Sequence, residues 1–127
     1  MNTKTPKIKK GDIVLVNLNP VQGSEAGRTR PCIIIQNDVG NQYASTTIIA
    51  IVTSQKDISR EYPTDVWLSK DESALDLDSI IQCDQIRTID KKRIIKRIGH
   101  LNKGIIKKIN RAILVSLDLS FWNNIFG

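Results

Sequence analysis

Short apolar segments, separated by polar residues, recur through the first two thirds of this 127-residue chain. Their content of Val, Ile and Thr is typical of β-strands. The pattern predicts strands over residues 13–18, 31–36, 46–55, 64–69 and 79–86. The third of these is expected to be long and central, and the polar stretch NDVGNQ at 37–42 predicts a turn before it.

The last third of the chain changes to a helical period. Asn102 can cap a helix, and one apolar face follows it, formed by Ile105, Ile106, Ile109, Ile113 and Leu117. This predicts an amphipathic helix over residues 102–119. The segment 90–101 fits a helix or a strand, and a helical turn at Asp90–Arg93 followed by a strand is the interpretation adopted.

Together these elements predict a mainly β fold, a small barrel with a C-terminal helix packed on it. The length suits one domain over residues 1–127, with a flexible N-terminal tail over residues 1–8. The order of the strands does not follow from the pattern. No apolar run approaches the roughly 20 residues of a membrane helix, and the N-terminus has no signal-peptide pattern. We therefore expect a cytoplasmic protein.

Charge is unevenly distributed along the chain, whose net charge is +6. Residues 57–84 carry eight acids and two bases, whereas residues 86–112 carry ten Lys or Arg and one acid. Such asymmetry indicates a surface for a polyanion, either nucleic acid or an acidic protein segment. A solvated face on a basic protein explains the same charges equally well.

The residues that bind metals are scarce. Cys32 and Cys83 each lie inside an apolar segment and are predicted to be buried free thiols. His100 is the only histidine and is interpreted as a structural or surface residue. We expect no metal and no cofactor.

Candidate chemistry is concentrated in the loop between the first two strands, LNPVQGSEAGRTRPCIII at 18–35. Arg30 stands directly before Pro31, which restricts it to extended backbone conformations. Its guanidinium offers a fixed fork of donors that suits two phosphate oxygens. Gly23 and Gly27 bracket the loop and allow backbone angles that other residues avoid.

The order GD, NP, GSE, RP, TSQ and DQIRTID resembles the MazF/PemK family of toxin endoribonucleases, over nearly the whole chain. The resemblance implies an SH3-like barrel of the MazF/PemK/CcdB type that forms a homodimer. It also implies metal-independent, sequence-specific cleavage of single-stranded RNA to 2′,3′-cyclic phosphate and 5′-hydroxyl ends. An acidic antitoxin would be the partner that silences the toxin.

Carried over residue by residue, the resemblance assigns catalysis to Arg30 and Thr53. Glu25 is the carboxylate of the loop and could act as base, orient Arg30 or contact the substrate. The predicted RNA-binding residues are Ser24, Glu25, Arg28, Gln55, Asp84 and Gln85. Two alternatives stay open: a gyrase-inhibiting toxin of the CcdB type, and a basic nucleic-acid-binding barrel without catalysis.

Overall fold

A computed structural model describes residues 7–20, 23, 28–55 and 62–119. They form six strands, two α-helices and two short 3₁₀ turns. The strands are β1 Asp12–Asn17, β2 Thr29–Ile34, β3 Thr46–Ser54, β4 Asp65–Leu68, β5 Ser79–Asp90 and β6 Ile94–His100. The helices are α1 Asp38–Tyr43 and α2 Lys103–Ser116.

All six strands form one antiparallel sheet in the order β4-β5-β3-β2-β1-β6. The mainly β fold with a C-terminal helix is confirmed, and β3 is indeed long and central. The sheet is not closed, because β4 and β6 stand at opposite ends of the hydrogen-bonded order. In its pattern of strand pairing, the predicted barrel is therefore an open sheet.

Each face of the sheet is buried in its own apolar cluster. Ile13, Ile33 and Ala50 lie opposite one another on β1, β2 and β3 and belong to the cluster that α2 covers. Helix α2 contributes Ile105 and Ile109 to it. The alternate residues of the same strands, such as Val14, Cys32 and Ile51, form the second cluster. This alternation explains why the strand segments are nearly continuous in apolar residues.

Three differences from the sequence prediction go beyond shifts of one or two residues at the ends of strands. The segment 37–42 is not a simple turn, because Asn37 accepts a hydrogen bond from the Gly40 amide and caps α1. Strand β5 continues to Asp90, four residues beyond the predicted end. Helix α2 ends at Ser116 rather than near 119. The predicted helical turn followed by a strand over 90–101 is confirmed, as a 3₁₀ turn at Lys91–Arg93 and then β6.

The N-terminal segment is tied to the sheet from residue 8 onward. Ile8, which the sequence assigned to the tail, is only 6% exposed and packs in the second cluster. Residues 1–6 lie outside the described residues, as do Trp122 and Phe126 in the C-terminal tail. Among the helices that the structure describes, none is long and apolar enough to cross a membrane.

The cap of α2 provides a test of the fold. The Asn102 side chain accepts a hydrogen bond from the Ile105 amide at 2.9 Å, so Asn102→Ala leaves that amide without its partner. We expect a loss of about 1 kcal/mol in the free energy of unfolding, measured by urea denaturation. Asn110→Ala, at an exposed position within α2, is the control and should cost nothing. Equal losses in both variants would contradict the capping role.

Candidate active site

The candidate site lies where β2 and β3 separate. Their ladder ends at the pair Cys32↔Ile51. Beyond that point β2 stays paired with β1, and β3 stays paired with β5. Continuing the register by two residues on each strand sets Arg30 opposite Thr53, so both lie at the fork between the two strands.

A cavity of about 540 Å³ opens at this fork, and both Arg30 and Thr53 line it. We call it the Arg30 cavity. Both residues are half-buried. Its polar lining is completed by Ser54, Asp76, Ser79 and Lys96. Its apolar walls include Leu15, Pro31, Val52, Leu75 and Ile98.

Two cations lie close enough to the end of the β2–β3 ladder to act on the Cys32 thiol there. Burial raises the pKa of the Cys32 thiol to about 12, against a smaller lowering effect of the Arg30 and Arg87 charges. Cys32 and Cys83 are buried and free, as predicted. A thiol held protonated in this way is not a nucleophile, and we exclude Cys32 from the chemistry.

Two arginines that were not predicted donate hydrogen bonds to residues 17–19, at the start of the loop that precedes Arg30; we call these residues the neck of the loop. Arg87 Nη1 donates to the Leu18 carbonyl at 2.7 Å. Arg93 Nη1 donates to the Asn17 carbonyl at 3.1 Å and also to the Asn19 carbonyl. Both lie some 70 residues away in sequence, so only the fold brings them to this neck. Both arginines belong to the segment QIRTIDKKRI at 85–94, which therefore supports this loop as well as contributing to β5 and the 3₁₀ turn.

The Arg87 contact predicts a positioning effect. Arg87→Met removes the donor to Leu18, and we expect kcat for RNA cleavage to fall about tenfold, because small displacements of a reacting group cost rate steeply. Arg87→Gln keeps an amide donor without the charge and should recover part of kcat. Single-turnover and steady-state kinetics separate the effect on kcat from the effect on KM. A rise in KM alone, with kcat unchanged, would make Arg87 a charge contact for RNA instead.

Arg28 closes the same loop with its backbone. Its amide donates to Asn19 Oδ1 at 2.9 Å, and its carbonyl accepts from the Leu18 amide at 2.9 Å. Its φ of 70° lies in the left-handed region that favours glycine. The side chain is exposed, and Arg28 does not line the Arg30 cavity. The residue therefore matters first as a turn position.

The positive φ gives a second test of stability. Arg28→Gly should leave the free energy of unfolding unchanged or raise it by up to about 1 kcal/mol, because the Cβ conflict disappears. Thr29→Gly, one residue later and within β2, is the matched control and should lose about 1 kcal/mol. Thermal and urea denaturation measure both. Equal destabilisation of the two variants would show that the Arg28 side chain stabilises the loop.

The other predicted RNA contacts lie near the fork but outside the cavity. Gln55 follows β3 and is tied to the start of β5, because its Nε2 donates to the Ser79 carbonyl at 3.3 Å. Asp84 and Gln85 lie in a bulge of β5, where the pairing jumps from Ala50↔Ile86 to Ile51↔Gln82. Asp84 is exposed and Gln85 half-buried. Bulges redirect side chains and are frequent beside active sites.

Two predicted residues, Ser24 and Glu25, lie outside the described residues, as does Gly27. Lys96 and Asp76 were not predicted, yet both line the Arg30 cavity. Lys96 reaches it because β6 pairs with β1, where Leu15↔Lys96 are partners. Asp76 belongs to the acidic stretch 57–84, so part of that stretch borders the cavity. Within the described ranges, no three His, Cys, Asp or Glu side chains are grouped to hold a metal ion.

Comparison with known proteins identifies the family. The model of the PemK-like, MazF-like toxins of type II toxin–antitoxin systems matches residues 9–117. The chain belongs to this toxin family. It is 44% identical over 112 residues to an Endoribonuclease MazF of Staphylococcus saprophyticus, covering 88% of this chain and 92% of the relative. The matched range contains Arg30 and Thr53 and all strands of the sheet.

Solved structures of a MazF toxin and of a mycobacterial endoribonuclease have the same fold. A MazF from Deinococcus radiodurans superposes with a TM-score of 0.74 at 20% identity, covering 91% of this chain and 99% of that one. An endoribonuclease from a mycobacterial species, solved with its cognate antitoxin, gives a TM-score of 0.73 at 20% identity, covering 88% and 96%. At these identities the comparison establishes the fold alone.

Proposed function

We propose that the chain cleaves single-stranded RNA at the Arg30 cavity by attack of the substrate's own 2′-hydroxyl, without a metal, giving a 2′,3′-cyclic phosphate and a 5′-hydroxyl. The activity class, a toxin endoribonuclease of a type II toxin–antitoxin system, follows from membership of the family and from the 44% identity to an Endoribonuclease MazF. The mechanism rests on one observation: Arg30 and Thr53 line the same cavity at the β2–β3 fork.

The reaction asks little of the protein, since RNA brings its nucleophile. The 2′-hydroxyl must lose its proton, charge on the phosphorane must be neutralised, and the leaving 5′-oxygen must gain a proton. Arg30 suits the second task, because its guanidinium can donate to two phosphate oxygens at once. Thr53 offers a hydroxyl donor to an oxygen that gains charge in the transition state. Neither task requires a metal.

The proton of the 2′-hydroxyl needs an acceptor. Glu25 is the candidate in the loop, with substrate contact or orientation of Arg30 as its alternative roles. Arginine is a poor base at neutral pH, because its guanidinium stays protonated. We therefore keep Arg30 as the charge-stabilising group. Lys96 adds a second cation to the same cavity and can hold a phosphate next to the one that is cut.

Recognition of the RNA sequence is assigned to polar side chains around the fork. Single-stranded RNA is read through the exposed edges of its bases, for which carboxylates and amides are suitable partners. We propose that Asp84 and Gln85, which lie in the β5 bulge beside β3, make these contacts. Arg28 would contribute a phosphate contact from the loop. Gln55, with Ser24 and Glu25, completes the proposed set of RNA contacts.

The proposed partners follow from charge and family. An acidic antitoxin suits the cationic stretch 86–112, with ten bases against one acid, and the mycobacterial relative was solved with its cognate antitoxin. We further propose that the chain acts in the cytoplasm, where mRNA is available, and as a homodimer whose second protomer extends the RNA groove. Sedimentation equilibrium at twice the 14.3 kDa chain mass would support the dimer.

The deciding experiment combines a chelator with a modified substrate. Purified protein is incubated with a long unstructured RNA in EDTA, the cut sites are mapped, and a short RNA carrying one 2′-deoxynucleotide 5′ to the scissile phosphate is then tested. We expect cleavage of the all-ribose RNA and none of the deoxy-substituted one. Intact RNA together with inhibited DNA gyrase supercoiling would favour the CcdB-like alternative. Salt-sensitive RNA binding without cleavage would favour the non-catalytic barrel.

A further inference from the structure

A second cavity, of about 750 Å³, shares no lining residue with the Arg30 cavity. It lies between the N-terminal segment, α1 and β6, and we call it the His100 cavity. Four cationic side chains and His100 line it, against two carboxylates, Asp12 and Asp38. The cations are Lys7, Lys9, Lys91 and Arg97. The proposed RNA chemistry uses none of these residues.

Both carboxylates already accept hydrogen bonds from other groups of the protein. Asp12 is 2% exposed; its Oδ1 lies 2.7 Å from His100 Nδ1 and 3.3 Å from Arg97 Nε, and its Oδ2 accepts from the Lys9 amide at 2.8 Å. Asp38 Oδ1 accepts from the Lys10 amide at 2.7 Å, which lowers the pKa of Asp38. The Asp12 carboxylate thus fixes the His100 ring and the Arg97 side chain.

Lys91 is a buried ammonium that lacks a counter-ion in the part of the chain that the structure describes. It is 5% exposed, and its Nζ donates to the backbone carbonyl of Asn41. The two ion pairs found among these residues both involve Asp12 and not Lys91. An ammonium has three N–H donors, of which the Asn41 carbonyl takes one. Burying a cation is unfavourable unless an anion accompanies it.

We propose that the His100 cavity binds the phosphate group of a small phosphorylated molecule. Lys91 would provide the buried positive charge, and Arg97 the terminal guanidinium nitrogens that its Asp12 contact does not use. His100 would present Nε2, since Asp12 holds Nδ1. The volume lies within the range of roughly 300–1,000 Å³ typical of small-molecule sites. It exceeds the needs of a bare phosphate and suits a nucleoside monophosphate.

A purely structural role for Lys91 is the competing explanation. Asn41 lies in the last turn of α1, so the Lys91 ammonium also satisfies a carbonyl at a helix C-terminus. That role predicts a loss of stability in Lys91→Met but no stabilisation of the unaltered protein by phosphate. The two explanations therefore differ in their response to ligand.

The experiment measures thermal stability and calorimetric binding in an Arg30→Ala background. This substitution weakens the binding of phosphate at the RNA site. The result for the His100 cavity then does not depend on whether the proposed RNA chemistry is correct. The probes are inorganic phosphate, adenosine 5′-monophosphate and adenosine, at constant ionic strength in chloride. We expect the Tm to rise with both phosphate probes, more with the nucleotide, and not with adenosine.

Three variants in that background decide whether the cavity is responsible. Lys91→Met and Arg97→Gln should each weaken phosphate binding at least tenfold, whereas Lys92→Met, at an exposed position outside the cavity lining, should bind like its parent. Arg97→Gln, at an exposed position, keeps the test valid if Lys91→Met does not fold. Absence of any Tm response at millimolar phosphate, or equal binding in all three variants, would overturn the proposal.

Discussion

Replacing Arg30 with alanine is expected to lower kcat/KM for RNA cleavage by roughly a thousandfold or more, the size of effect known for arginines that neutralise a transferring phosphate. Arg30 lines the cavity at the fork together with Thr53 and Lys96. Once the planar guanidinium is removed, no remaining side chain of that lining can donate to two phosphate oxygens in one plane. Arg30→Lys keeps the charge but not the geometry and should stay well below the wild-type rate.

The matched control for this prediction is Arg28→Ala, in the same loop. Arg28 is exposed and lies outside the cavity lining, so its loss should weaken RNA binding only mildly. Cleavage of a mapped RNA by equal concentrations of each folded variant measures both effects. If Arg28→Ala loses as much activity as Arg30→Ala, the two cations act together on the substrate and the assignment of Arg30 is wrong.

Strands could be predicted from this sequence because burial on both faces leaves continuous β-branched runs. Ile13, Ile33 and Ala50 serve one cluster, while Val14, Cys32 and Ile51 serve the other. Helix α2 could be predicted equally well, from its Asn102 cap and the helical period of its apolar residues. Helix α1 was missed because its six residues carry no apolar period, and only the Asn37 cap indicated a helix. The bulge in β5 arises from pairing with β3, which local sequence does not encode.

Only the part of the site that belongs to a family motif could be predicted from the sequence. Arg30 and Thr53 are ordinary residue types, and their family positions alone distinguished them from Arg28 and Thr47. That they line one cavity depends on the β2–β3 register. The roles of Lys96 and Arg87 could not be predicted from the sequence. Lys96 reaches the cavity through the pairing of β6 with β1, and Arg87 reaches the loop through the Leu18 carbonyl. Sequence neighbours reveal nothing of such distant partners.

Thr53 lies in β3, and we expect its hydroxyl to donate a hydrogen bond to the substrate. Thr53→Val keeps the β-branched shape and removes one donor, and we expect the rate of cleavage under single-turnover conditions to fall about a hundredfold. Thr53→Ser restores the hydroxyl and should recover most of the rate. The stability of β3 should change little, because valine suits a half-buried strand position as well as threonine does.

Two controls separate the Thr53 hydroxyl from its surroundings. Thr46→Val, at the opposite end of β3 and paired with Asp90, tests the same substitution away from the cavity and should leave cleavage unchanged. Ser54→Ala removes the neighbouring hydroxyl that also lines the cavity. A full rate in Thr53→Val together with a large loss in Ser54→Ala would transfer the donor role to Ser54. Catalysis at the β2–β3 fork would then depend on Arg30 of β2 and Ser54 of β3.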